Sequence, residues 1–215
     1  MVGLSGRFSV LLVISLLLGA CAAGPNSSPN MVFERKGISK PKMTSYQYCH
    51  GYGCAKQLSL KLSDQEKFGL ISAFGQASTA YEERAAMAKA VAYMEQTNAP
   101  KAGTESDIGG TFTGYGQSGQ LDCEDESANT TTTLIFLQEL GLLKHHRLRS
   151  QVTRGFFIGG WPHTSAAVVD SASGKSYAID SWFESSGVKP HIVPYEMWSS
   201  GWDPQKDGPV PAAQQ

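Results

Sequence analysis

Gly119-Gln120-Leu121-Asp122-Cys123-Glu124-Asp125-Glu126 decides how this chain reads, because it closes a glycine-rich loop and opens a helix on a cysteine. The chain has four cysteines. Cys21 follows Leu18-Gly19-Ala20 directly after an apolar run, the pattern of a bacterial lipoprotein cleavage and lipidation site. Cys49 and Cys54, in Cys49-His50-Gly51-Tyr52-Gly53-Cys54, are near enough to close a small loop as a disulfide in an oxidising compartment. Cys123 is left over, and an odd thiol in an exported chain is a candidate reactive group. The cysteine count alone also admits Cys123 paired with Cys49 or Cys54.

Outward from Cys123, residues 123 or 124 to 140 read as a helix ended by Gly141, with Asp122, Glu124, Asp125 and Glu126 complementing its dipole. Thr130 to Thr133 are poor helix formers, so burial must compensate. A thiol at a helix start is expected to have a lowered pKa, and the free amides there, the Cys123 N–H among them, suit an oxyanion. Downstream the pattern turns strand-like over 151–158, 164–170 and 176–181, with a hairpin turn at 171–174. His163 opens one strand and Asp180 closes its partner, so the spacing places them opposite each other across the hairpin. A thiol, an imidazole and a carboxylate in that arrangement suit nucleophilic acyl transfer.

At these residues the chain resembles the transglutaminase-like branch of the papain-like cysteine enzymes. Gly119-Gln-Leu-Asp-Cys123-Glu-Asp125 is similar to the bacterial Gly-Asp-Cys-Glu-Asp motif, with Gln120-Leu121 inserted between the glycine and the acid. The resemblance covers about residues 115–185. It implies an α+β fold, papain-like or transglutaminase-like, with the nucleophile helix packed on a small antiparallel sheet beside a helical N-terminal part. It also implies a thioester route on a peptide or protein amide: Cys123 as nucleophile, His163 as base and acid, Asp180 as orienter. Gln117 and Gln120 are both candidates for the oxyanion side chain, Gln117 at the six-residue spacing before the cysteine. That chemistry requires no cofactor. Calcium is the one candidate ion, since some periplasmic relatives bind it through acids beside the nucleophile, and Asp122, Glu124, Asp125 and Glu126 offer hard oxygens.

The rest of the chain frames this core. Residues 1–20 read as a lipoprotein signal peptide, with Arg7 as their one charge and an apolar stretch from Val10 to Leu18. Residues 21–43 read as a lipidated flexible tether, 44–202 as the domain, and 203–215 as a loose tail. Ala22 after Cys21 lacks an acidic retention signal, which points to the periplasmic face of the outer membrane. Without Arg7 the balance is 17 basic to 19 acidic residues, which is no nucleic-acid footprint.

Within the domain, 58–62 reads as a strand, Ser63 and Glu66 as a capping box, and 64–74 and 78–97 as helices. Pro100 and the run Gly109 to Gly119 form a long loop. His145 and His146 read as a solvated helix end. The four tryptophans lie in the last third, and Trp161 and Trp182 flank His163 and Asp180. They serve either as substrate-cleft walls or as core and lid. Two other classes fit the same residues: an inactive lipoprotein that binds envelope peptide or glycan, and a structural lipoprotein in which Cys123 is disulfide-bonded.

Overall fold

A computed structural model describes residues 28–111, 113–115, 117–155 and 162–211. The signal segment, Cys21 and Trp161 lie outside these residues. Among the described residues no helix is long and apolar enough to cross a membrane. The architecture is α+β, with two antiparallel sheets and six helices among the described residues.

The chain begins with a short helix, α1 (Met31–Lys36), followed by a hairpin of β1 (Tyr46–His50) and β2 (Lys56–Leu60). Helix α2 (Asp64–Phe74) starts on the expected capping box, Ser63 Oγ accepting the Glu66 N–H while the Glu66 carboxylate accepts the Ser63 N–H. Helix α3 (Ala80–Ala102) runs past Pro100 to a left-handed Gly103 cap, longer than its sequence suggests. Pro100 has no N–H for the Gln96 carbonyl, so the helix forgoes that one bond and ends within three residues.

Helix α4 (Cys123–Glu139) is the centre of the molecule, buried along nearly its whole length. Burial holds its threonine run helical, as the sequence requires. Thr131, Thr132 and Thr133 return their hydroxyls to the carbonyls of Ser127, Ala128 and Asn129, and Thr130 bonds Ser181. Each buried hydroxyl is thereby satisfied.

The larger sheet runs β3 (His146–Arg154), β4 (His163–Asp170), β5 (Ser176–Asp180) and β6 (His191–Pro194), antiparallel throughout. Alternation divides its faces. Ala166, Val168, Tyr177 and Ile179 join Leu134, Phe136, Met87 and Met94 in the main core. Val152, Ala167, Ala178 and Val193 face the other way, onto Trp198, Trp202 and Val210. Trp198 lies on α5 (Tyr195–Ser199), and α6 (Pro204–Asp207) follows with Asp203 as its cap.

Two segment readings are corrected. The tether contains α1, whose Val32 and Phe33 are buried in the main core, because this apolar pair completes a surface that β3 and the first hairpin leave open. Lys36 fastens it by an ion pair to Glu124 at 2.7 Å and a bond to the Gly53 carbonyl. The tail is likewise anchored as far as Val210, which is buried against the second sheet face. His146 is also buried, not solvated: its Nδ1 meets Glu83 at 2.9 Å and its Nε2 meets Arg84 at 3.0 Å. Replacing Phe33→Ala is expected to cost about 3–5 kcal/mol, read as a lowered urea midpoint with unchanged slope. A cost within 0.5 kcal/mol, the usual range for exposed surface positions, would return α1 to the tether.

Candidate active site

Cys123 is the first residue of α4, so its backbone N–H is among those a helix leaves unpaired. Asp122 caps the helix, Oδ1 accepting the N–H groups of Glu124 and Asp125. The same carboxylates hold the loop after β1. Asp122 Oδ2 accepts the Gly53 N–H, and Asp125 accepts those of Tyr52 at 2.7 Å and Cys54 at 2.6 Å. Residues 51–54 all have positive φ, Tyr52 and Cys54 included, so their successive N–H groups form a concave nest for anions. Cys49 and Cys54 close this loop as a disulfide, leaving Cys123 free and buried. The alternative pairings of Cys123 do not occur.

These contacts account for the acids near Cys123. Asp122 and Asp125 serve the nest, Glu124 serves Lys36, and Glu126 points into the interior beside Glu95. Among the described residues no group of three or more His, Cys, Asp or Glu side chains is placed to hold a metal.

His163 and Asp180 meet: Nε2 lies 2.6 Å from Asp180 Oδ2, with both side chains buried. Their register differs from a direct cross-strand pair. Ala166 pairs with Ile179 and Ala167 with Ala178, so the same register continued puts Asp180 opposite Ser165. The turn is 171–174 as expected, the Asp170 N–H bonding the Lys175 carbonyl across it, and that closure sets Asp180 two residues from the position opposite His163. A two-residue slip keeps both side chains on one face, so the diagonal neighbours still touch.

His163 Nδ1 is buried and has no hydrogen-bond partner among the described residues. The next residue, Thr164, donates its backbone N–H to the Cys123 thiol. Cys123, Thr164 and His163 thus follow one another from the helix start into β4. Trp182 covers the imidazole, with ring centroids 4.8 Å apart, and Phe183 and Trp198 complete the enclosure at 5.4 and 5.6 Å. Trp182 is therefore a buried cover over His163.

Electrostatics correct one expectation. Cys123 is 6% exposed. Burial, with the charges of Asp122, Glu124 and Asp180, pushes its thiol up to about 12 despite the helix start. The thiol is protonated at neutral pH in this arrangement. Asp180 behaves differently. Burial drives its carboxyl upward, and the His163 contact, the Trp198 N–H and the Arg154 charge together hold it below the usual carboxylate value.

The oxyanion candidates fare unequally. Gln120 is corrected: its amide bonds the Ile108 N–H and the Ser106 carbonyl, bracing the loop because that turn has no ladder of its own. Gln117 is exposed and bonds the Thr113 carbonyl. Sequence reasoning missed Thr164, Arg154 and the role of Trp198, whose Nε1–H lies 2.6 Å from Asp180 Oδ2. No local motif signals that bond, since it joins two elements across the second sheet face.

Behind the site lies a buried acid pair. Glu95 on α3 and Glu126 on α4 hydrogen-bond each other, with Asp107 nearby, and Glu95 Oε2 accepts the Gly187 N–H. Burial raises all three acids, Glu95 to about 8 and Asp107 to about 6, while Glu126 is raised further by the charges of Glu95 and Asp107. The chain has no significant match among family models, curated proteins or solved structures.

A carboxyl raised on folding stabilises below its unfolded pKa, and that contribution is lost as pH climbs through the folded value. Stability should therefore fall from about pH 4.5 to 8 as Glu95 ionises. Glu95→Gln keeps an acceptor for Gly187 without ionising. It is expected to flatten that fall and to raise stability at pH 8 by on the order of a few kcal/mol. Urea unfolding across the range measures it, and parallel curves for the two proteins would refute a shared buried proton.

Proposed function

We propose that this chain is a cysteine hydrolase of transglutaminase-like fold that cleaves a peptide or protein amide through a thioester on Cys123. The observation that carries the reading is the His163–Asp180 bond at 2.6 Å combined with a buried, unpartnered Nδ1, one residue from the N–H that meets the thiol. A base needs one nitrogen held and the other open to a proton.

The reaction starts from a neutral thiol. As sulfur attacks the carbonyl carbon, the thiol proton passes to His163 Nδ1, and the imidazolium forms against the Asp180 carboxylate. Negative charge develops on the carbonyl oxygen, where the Cys123 N–H, the first-turn amide that the capping carboxylates leave unclaimed, receives it. Collapse expels the amine, which takes the proton from Nδ1 and leaves the acyl group as a thioester. Water then attacks with His163 as base, releasing a carboxylic acid and restoring the thiol. The envelope location is part of the same proposal: Cys21 carries the lipid, and the domain acts on the periplasmic side.

One observation favours a second reading. A thiol 6% exposed and pushed up to about 12 is also what an inactive binding lipoprotein would retain. In the hydrolase, His163 takes the thiol proton as an electrophile arrives, so a small electrophile reports the pair. Iodoacetamide labelling followed by intact mass decides between them. The hydrolase predicts a single adduct on Cys123 in the folded protein between pH 6 and 9, slowed about 100-fold or more in His163→Ala. No adduct in that range, with the fold intact, leaves the binding reading.

A further inference from the structure

Two donors reach the same oxygen of Asp180. His163 Nε2 and Trp198 Nε1 each lie 2.6 Å from Oδ2. Trp198 is fully buried, and its indole N–H can only donate. Arg154 secures it from a third element: its guanidinium stacks 4.7 Å from the Trp198 ring and donates Nη1–H to the Trp198 carbonyl. Arg154 is the register partner of His163 on β3, so it projects from the same sheet face. Among the described residues this guanidinium has no carboxylate within ion-pair distance. We propose that Trp198, held by Arg154, is a positioning residue for the base: its N–H fixes Asp180 as an ionised acceptor, leaving His163 Nδ1 open to the thiol proton. This rests on the hydrolase reading of the same site.

The molecule contains its own comparison. Glu95, Glu126 and Asp180 are all fully buried. Glu95 and Glu126 have each other and neutral donors, and both are raised. Asp180 alone has an indole N–H and an arginine charge besides its histidine, and it is lowered. Other charged or titratable groups around it are Cys123 from α4, Asp203 and Asp207 beyond Arg154, and His191 on β6. His191 already bonds Glu184 at 2.7 Å. None of these donates to Oδ2.

The sign follows from the chemistry. Removing a donor from a carboxylate makes the His163–Asp180 pair hold its proton more tightly, so its titration moves to higher pH. A lost bond to a charged group corresponds to about one pH unit or more.

The experiment follows the His163 ring resonances by NMR through a pH titration of the mature chain, alongside the acid limb of Cys123 alkylation by iodoacetamide. Trp198→Phe is expected to raise both midpoints by about one unit. Benzothienylalanine at position 198 keeps the ring volume and removes only the donor, so it should give the same shift if Phe packs poorly. Arg154→Met should move them the same way by less, and Trp202→Phe, which loosens the aromatic cluster without touching Asp180, should leave them in place. Unmoved midpoints in both position-198 variants would overturn the proposal, whatever happens to rate or melting temperature. A shifted His163 titration with no alkylation anywhere would sustain the positioning role and remove the thioester reading.

Discussion

Two carboxylates in the first turn of α4 constrain everything around them. Asp122 and Asp125 together accept six backbone N–H groups, three from the helix start and three from the loop closed by the disulfide. Left-handed backbone at Tyr52 and Cys54 is costly for residues with a Cβ, and it persists only where surroundings over-determine it. Here the disulfide closes the loop, and the carboxylates reward its shape with short bonds. Helix α4, the first hairpin and, through Lys36, α1 are thus one mechanical unit. Cys123 sits between these two acids, and Asp122, which caps its helix, also opposes its ionisation.

That opposition shapes the site's resting chemistry. The helix start favours a thiolate, but burial and three nearby carboxylates outweigh it. The thiol meets the Thr164 N–H, one residue from an imidazole whose Nδ1 is buried and unpartnered among the described residues. In the proposed hydrolase, charge would separate only as sulfur attacks, with the Cys123 N–H left to meet the oxyanion. The rings of Trp182, Phe183 and Trp198 enclose the imidazole and bury it.

Much of this was legible in the residues. The free thiol followed from cysteine arithmetic, and the Cys49–Cys54 disulfide from spacing. The capping box at Ser63 and Glu66 and the start of α4 followed from local preferences that operate over one turn. His163 and Asp180 were placed on one hairpin and one face because strand alternation survives a two-residue slip in register. What was not legible depends on distance. Gln120 reads as an oxyanion donor until Ile108 and Ser106 are known to claim its amide. The α1 segment reads as tether because six residues carry too little pattern to announce a partner surface. His146 reads as solvated because Glu83, which claims it, lies on α3.

The sequence by itself determined the chemical inventory: one unpaired thiol at a helix start, one histidine and one aspartate at the ends of paired strands, and acids suited to an N-terminus. These are local facts, set by neighbours a few residues apart. Tertiary structure alone decided which groups are charged and which are reached. It buried Asp180 yet surrounded it with donors and a cation, buried Glu95 and Glu126 against each other with neutral donors, and enclosed Cys123 in acids. Ionisation inside a protein is governed by desolvation and by the few groups within hydrogen-bonding reach, and those come from elements that meet only when the chain folds.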